Sequence, residues 1–243
     1  TKAGIYRLDE QNKCFRVENE SILYVYCLAQ DANGQVWAGT GTGLFRVGKY
    51  SYEQYQADFT EANGLKDNTI MGIQDDGNGN LLLATLGAGL TKFNQAKKTF
   101  REFNKQANII SNNSYGTLLT KKGIWVSTLR GISFLPNGTE LFINITKENG
   151  MPLPELNQNA YLQSTSGWLY FGGKGGLFRL HPDSLSFDWH TGLPSILNWK
   201  VNYEPITEQS KDRIFGQEAL SHTQKINLYP TDKVLSFELS ALN

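Results

Sequence analysis

Four short stretches of this chain repeat one another at nearly equal spacing: Val36-Trp37-Ala38-Gly39-Thr40, Leu81-Leu82-Leu83-Ala84-Thr85, Ile124-Trp125-Val126-Ser127-Thr128 and Leu169-Tyr170-Phe171-Gly172-Gly173. Each is an apolar, β-prone run ending in small residues. Each is followed within three to five residues by glycine and an apolar residue: Gly43-Leu44, Gly89-Leu90, Gly131-Ile132 and Gly176-Leu177. The runs end at residues 40, 85, 128 and 173, so the period is 43 to 45 residues. Gly4-Ile5-Tyr6-Arg7-Leu8 matches the glycine-apolar half one period earlier. A fixed period of this length marks a repeat architecture, whose units bury their apolar faces only against their neighbours.

Each unit reads as four short strands separated by turn residues. In the second, strands are predicted over Asn68 to Gln74, Leu81 to Thr85, Gly89 to Asn94 and Thr99 to Phe103, with Asp75-Asp76-Gly77-Asn78-Gly79 as the first turn. Asp31-Ala32-Asn33-Gly34, Lys121-Lys122-Gly123 and Thr165-Ser166-Gly167 fill the same role in the other units. Such turns need positive φ values, which Asn-Gly and Asp-Gly pairs supply. With no 3.6-residue apolar pattern, the expected fold is all-β: an incomplete β-propeller with blades of four antiparallel strands. Whole blades are expected at about 21–57, 68–103, 113–146 and 158–189, after the outer half of another. A β-sandwich is the alternative, but it would not require the repeat. After Pro194 the period stops. Ser195 to Pro205 and Lys225 to Leu242 alternate like strands around a polar link, Lys211 to Ser221. The predicted organisation is propeller repeats over residues 1–193, then the truncated start of a β-sandwich module over 194–243.

The 243 residues carry 23 basic and 23 acidic side chains, which argues against a nucleic-acid or anionic-membrane surface, since either needs a basic excess. There is no apolar run long enough to span a bilayer. The first residues read as strand and not as a signal peptide, so a signal or membrane anchor is expected outside this stretch. The two cysteines, Cys14 and Cys27, fall on an outer strand and on an inner strand of the next blade. They are expected to be free, buried thiols rather than a bridge.

The units resemble the two-component-regulator propeller repeat. Gly64-Leu65-Lys66-Asp67-Asn68-Thr69-Ile70 leads to Asp76-Gly77 and then to Leu83-Ala84-Thr85, in the family's order. Leu156-Asn157-Gln158-Asn159-Ala160, through Tyr170-Phe171-Gly172-Gly173 to His181-Pro182, is similar to the family's closing blade. Residues 194–243 are similar to the start of the immunoglobulin-like module, named for its triple tyrosine, that follows such propellers. The second blade departs with Leu83-Ala84 where the family has Trp-Gly, and the third with Ser127 for glycine. The resemblance implies a periplasmic sensor region of a membrane receptor, often a hybrid histidine kinase, that responds to a small molecule such as an oligosaccharide and works as a homodimer.

No chemistry-bearing motif stands against that reading. Gly39-Thr40-Gly41-Thr42-Gly43 and Gly172-Gly173-Lys174-Gly175-Gly176 lack the spacing and following helix of a phosphate loop and read as turn glycines. Asp75-Asp76-Gly77-Asn78-Gly79-Asn80 lacks the distal glutamate of a calcium loop and reads as a solvated hairpin. His181, His190 and His222 have no metal-like partner nearby, so neither metal nor cofactor is expected. There is no Gly-x-Ser-x-Gly elbow, and no catalytic residue is assigned. Asn112, Asn137 and Asn144 head Asn-x-Ser/Thr sequons of no expected consequence. Trp37 and Trp125 sit at the repeated second-strand position and are predicted to pack between blades. Trp168, Trp189 and Trp199 are less patterned.

Chain direction places the loop into each innermost strand and the loop between second and third strands on one face, near the axis. The first set carries Asn68, Asn113 and Asn159; the second includes Arg130 and Lys174. Tyr115 and Tyr161 lie just inside the innermost strands. These seven residues form the candidate ligand mouth, suited to a polar or anionic small molecule; the alternative is that the asparagines only cap turns. A protein-interaction scaffold is the rival reading. A propeller lyase or glycosidase is another, which the scarcity of carboxylates and histidines at this mouth disfavours.

Overall fold

A computed structural model describes residues 4–8, 11, 14–16, 24–49, 51–147, 150–185, 195–206 and 227–240. The chain is all-β, an incomplete propeller followed by a smaller sheet. It divides into two units, Thr1–Leu185 and Ser186–Asn243. In the first unit, β1 (Tyr6–Leu8) and β2 (Cys14–Arg16) form a two-stranded antiparallel pair, the outer half of a blade. Blade 1 holds β3 (Val25–Gln30), β4 (Val36–Thr40), β5 (Gly43–Val47) and β6 (Tyr52–Tyr55). Blade 2 holds β7 (Ile70–Asp75), β8 (Asn80–Thr85), β9 (Leu90–Asn94) and β10 (Thr99–Phe103). Blade 3 holds β11 (Ser114–Thr120), β12 (Gly123–Thr128), β13 (Gly131–Pro136) and β14 (Ile143–Ile145). Blade 4 shows β15 (Leu156–Gln163), β16 (Leu169–Gly173) and β17 (Gly176–Leu180); its expected fourth strand, toward residue 189, lies outside the described residues.

Each sheet of the first unit is a meander of neighbouring strands in chain order, which short turns permit. Two local devices repeat. The threonine ending the second strand ties its own hairpin: Thr40, Thr85 and Thr128 donate through Oγ1 to the carbonyls of Gly43, Gly89 and Gly131 at 2.8, 3.0 and 2.9 Å. The same oxygens accept from the backbone N–H of Thr42, Ala88 and Arg130. The following glycine sits at positive φ, +123°, +71° and +146° in turn. A methyl group on Gly89 would stand 2.8 Å from the Phe103 carbonyl oxygen, and one on Gly131 2.5 Å from that of Ile145. The repeated Thr…Gly-Leu pattern therefore exists because the third strand starts in a left-handed turn pressed against the end of the fourth.

The core lies between blades. Trp37, Leu44, Leu65, Ile70, Leu81, Leu83, Phe93 and Phe100 form one cluster joining blades 1 and 2. Leu82, Leu90, Phe103, Ile109, Val126, Leu135 and Phe142 form the next, joining blades 2 and 3. Ile5 of the half-blade packs on Ala38 and Phe45 of blade 1. Trp37 meets Phe93 edge-on at 5.7 Å, and Trp125 stacks on Phe134 at 4.1 Å, so both tryptophans are interior packing groups. Their indole N–H groups are satisfied by Asp31 Oδ2 (3.0 Å) and Thr120 Oγ1 (3.1 Å). Trp168 lies at the surface of blade 4, against the His181 ring and beneath the Arg179 guanidinium.

Equivalent positions expose the dependence on a neighbour. Leu44, Leu90 and Ile132 are fully buried, whereas Leu177, the same position in blade 4, is 65% exposed, and Leu162 on β15 is 60% exposed.

In the second unit, β18 (Ser195–Val201) pairs with both β19 (Glu204–Pro205) and β20 (Leu235–Ser240). The sequence led us to expect strand from Lys225 onward, but residues 227–234 form a turn. Its Tyr229 N–H donates to Asp232 Oδ2, and Asn202 Oδ1 accepts from the N–H groups of Lys233 and Val234. Leu228 is 46% exposed. The link Lys211 to Ser221, together with Trp189, His190 and His222, lies outside the described residues.

The inter-blade burial makes a paired prediction. Leu90→Ala should cost about 2–5 kcal/mol in denaturant unfolding. Leu177→Ala, at the same repeat position, should stay within about 0.5 kcal/mol. Equal losses would contradict the packing scheme.

Candidate functional site

The innermost strands meet along one line, and each carries a β-bulge near its start. The ladder shifts between Val25 and Cys27, Ile70 and Gly72, Ser114 and Gly116, and Leu156 and Tyr161. The loops on either side of each bulge are tied together. Gly41 N–H donates to the Tyr24 carbonyl, Leu86 to Thr69, Leu129 to Asn113 and Lys174 to Glu155. Gly87 N–H also donates to Asp67 Oδ2 at 2.5 Å. Both sets of loops therefore emerge together at one end of the blades. A bulge turns a side chain out of the regular alternation, and in blades 1 to 3 the residue so treated is large: Tyr26, Met71 and Tyr115.

The seven sequence candidates separate at this mouth. Asn68 is half-buried, and its Oδ1 accepts from the Ala57 N–H at 2.7 Å, so its side chain closes a loop. Asn113 is exposed, with its backbone N–H donating to Ser111 Oγ. Asn159 is exposed within the bulge of blade 4 at φ +55°. The three are not equivalent in register. Asn68 stands two residues before the partner of Thr85, Asn113 one before the partner of Thr128, and Asn159 three after the partner of Gly173. Arg130 and Lys174 are exposed on their hairpins. Tyr115 is buried at 7% exposure, and its hydroxyl meets the Gln158 side chain. Burial and the charge of Glu155 push the Tyr115 phenol upward, against the pull of that hydrogen bond.

Tyr161 does not face open mouth. It lies across the Gly116 backbone of blade 3, where any side chain would fall on its ring. Its hydroxyl reaches blade 2, 2.9 Å from where a methyl group on Gly72 would stand. The glycines at these two positions make room for it. Burial, with the proximity of Cys27, pushes the Tyr161 phenol from 10.0 to about 12. Cys27 is free and half-buried rather than fully buried, its Sγ 3.9 Å from the Ile70 carbonyl oxygen. Burial raises its thiol from 9.0 to about 12, against the hydrogen bond from the Gly39 backbone. The Cys14 side chain lies outside the described residues.

Sequence reasoning missed Asn157, Gln158 and Glu155. The fourth-blade bulge holds two residues more than the others, and Asn157, Gln158 and Asn159 all face solvent there. A non-glycine residue at positive φ inside a strand is uncommon and persists where its surroundings impose it. The repeat spacing does not reveal the extra length, since the runs ending at 40 and 85 and those ending at 128 and 173 are equally far apart; the ladder alone assigns it to a bulge. Among the described residues no cluster of three or more His, Cys, Asp or Glu side chains is placed to hold a metal ion.

Residues 19–42 match the family model for the two component regulator propeller. The chain is 28% identical to histidine kinase P4 of Formosa agariphila over 234 residues, which is 94% of the chain and 17% of that kinase. The extracellular domain of BT3049 from B. thetaiotaomicron, described as a hybrid two component system, superimposes with a TM-score of 0.58 at 24% identity, over 68% of this chain and 24% of that one. The extracellular domain of BT4673 from the same organism gives a TM-score of 0.64 at 18% identity, over 82% of this chain and 29% of that one. These two likenesses establish the shared propeller fold. The chain spans less than a third of the length of each of these proteins.

The axial packing fixes two outcomes. Gly116→Ala should cost about 1–3 kcal/mol, because the Tyr161 ring cannot withdraw without moving blade 4; a melting temperature equal to the parent's would refute this. Cys27 and Tyr161 both have raised folded pKa values, so their contribution is complete below about pH 9 and is lost as pH rises toward 12. Cys27→Ala with Tyr161→Phe should flatten that alkaline loss in pH-dependent unfolding.

Proposed function

We propose that this chain belongs to the extracytoplasmic sensor region of a bacterial two-component signalling receptor, and that it acts by binding rather than by catalysis. The observation that carries this reading is the 28% identity to a histidine kinase along 94% of the chain, combined with the regulator-propeller repeat. A periplasmic location and a homodimeric receptor go with it. In this reading a ligand at the axial mouth shifts the relation of the blades, and a separate cytoplasmic domain reads the change.

The mouth offers the side chains such a ligand needs. Arg130 and Lys174 are exposed cations. Asn113, Asn157, Gln158 and Asn159 present amide donors and acceptors, and no carboxylate pair stands among them. Amides of this kind suit a polyhydroxylated molecule such as an oligosaccharide, each forming paired hydrogen bonds with neighbouring hydroxyls. Asn68 and Tyr161 serve the scaffold of this site, since their side chains are engaged within it.

The open apolar face of blade 4, with Leu162 and Leu177 exposed, favours a second reading as a protein-interaction scaffold.

A thermal-shift screen against oligosaccharides tests the first reading. A ligand at 100 times its Kd should stabilise the chain by about 2.7 kcal/mol. Gln158→Ala and Asn159→Gly should remove that gain without lowering the unliganded melting temperature by more than a few degrees. A response that survives both substitutions would move the site elsewhere, and no response from any oligosaccharide would turn the assignment toward the scaffold.

A further inference from the structure

The hairpins at the end opposite the mouth are not alike. In blades 1, 2 and 4 the first two strands are joined across five residues: 31–35 between Gln30 and Val36, 76–80 between Asp75 and Leu81, and 164–168 between Gln163 and Leu169. In blade 3, Thr120 pairs with Gly123, and only Lys121 and Lys122 stand between them.

In blades 1 and 2 the longer turn is centred on an aspartate, and in blade 4 on Ser164, whose Oγ accepts from the Trp168 N–H. Asp31 gathers the N–H groups of Asn33 and Gln35 and the indole of Trp37. Asp76 gathers those of Asn78 and Asn80 and pairs with Lys92 at 3.2 Å. The hairpin of blade 3 has no carboxylate, and Trp125 turns to the Thr120 hydroxyl instead. Two lysines replace an aspartate-centred turn.

The shortened hairpin stops opposite the full-length turn of blade 4, and the space between them is a cavity of about 330 Å³. Thr120, Lys121, Lys122, Ser166, His181 and Asp183 are among its walls. Lys122 is held in place: its Nζ donates to the Pro182 carbonyl at 2.9 Å and lies 3.6 Å from Asp183 Oδ1. An ammonium has three donors, which leaves one N–H of Lys122 uncommitted. Lys121 is exposed and has no ion-pair partner among the described residues. His181 is fixed as a wall, Nε2 against the Ser166 carbonyl and Nδ1 accepting from the Asp183 N–H, each at 3.3 Å. Two lysines against one aspartate leave the lining with a net charge of +1, and the aspartate is already matched by Lys122.

We infer that this cavity is a second binding site, for a small molecule bearing a phosphate or carboxylate group. Lys121 and Lys122 are its charge partners, and the hydroxyls of Thr165 and Ser166 are neutral donors. The volume lies at the small end of the range for small-molecule sites. A cation is disfavoured there by the surplus ammonium. The site is separate from the axial mouth and does not depend on its assignment. Its position between blades 3 and 4 lets an anion brace the one junction at which the repeated turn is missing.

Isothermal titration with sodium phosphate, and separately with sodium acetate, tests this at constant ionic strength with sodium chloride as the baseline. Saturable binding is expected for at least one of the two, and the tighter one names the ligand class. Lys121→Gln, an exposed turn substitution that leaves folding intact, should weaken that binding by about tenfold or more. Arg130→Gln combined with Lys174→Gln at the mouth should leave it unchanged. Absence of saturable binding by either anion would overturn the inference. So would binding that survives Lys121→Gln, or binding lost with the mouth pair.

Discussion

Each four-stranded sheet of this chain has apolar side chains on both faces and can cover neither by itself. The contrast between Leu44, Leu90 and Ile132, which are fully buried, and Leu177, at 65% exposure, measures what a neighbouring blade contributes at one repeated position. Burying a leucine side chain is worth about 1.5–3 kcal/mol, and each junction in the first unit buries several. The blades are therefore stable only as a series, and every other feature of the first unit is arranged around keeping the sheets face to face. The runs such as Leu81-Leu82-Leu83 read as continuously apolar because alternate residues serve the junctions on either side.

Keeping those faces in register is helped by similar hairpins, which blades 1 to 3 obtain from threonine and glycine. The threonine hydroxyl both donates and accepts within one turn, and the glycine admits a backbone approach that no side chain could survive. In every blade the loop after the second strand is also tied back to the start of the innermost strand, so the innermost strands arrive at the axis in a similar way. Their bulges then fall at one level, and that is what creates a mouth. The Tyr161 ring, lying over Gly116 and reaching toward Gly72, ties three consecutive blades together at the axis.

Both proposed sites lie where the repeat is broken. The fourth-blade bulge is longer than its counterparts and carries three exposed amides. The third-blade hairpin is shorter than its counterparts and carries two lysines in place of an aspartate. Both departures sit at blade ends, on opposite sides of the sheets. There, side chains are free of the packing demands that fix the strand interiors. Asn68, by contrast, looked like a site residue because of its spacing, yet its amide closes the loop to Ala57.

The repeat alone determined the fold class and the burial of Trp37 and Trp125. A period of 43 to 45 residues with two apolar faces per sheet leaves few ways to bury them. The tertiary structure decided what the period could not carry. Asn68, Asn113 and Asn159 are nearly evenly spaced in the chain but occupy different register positions, because bulge lengths differ between blades. Tyr161 packs across two neighbouring blades, because the glycines that admit it lie 45 and 89 residues earlier in the chain. Spacing along a chain encodes which strand a residue occupies. Where its side chain goes depends on the length of each bulge and turn, and on what the adjacent blade leaves empty.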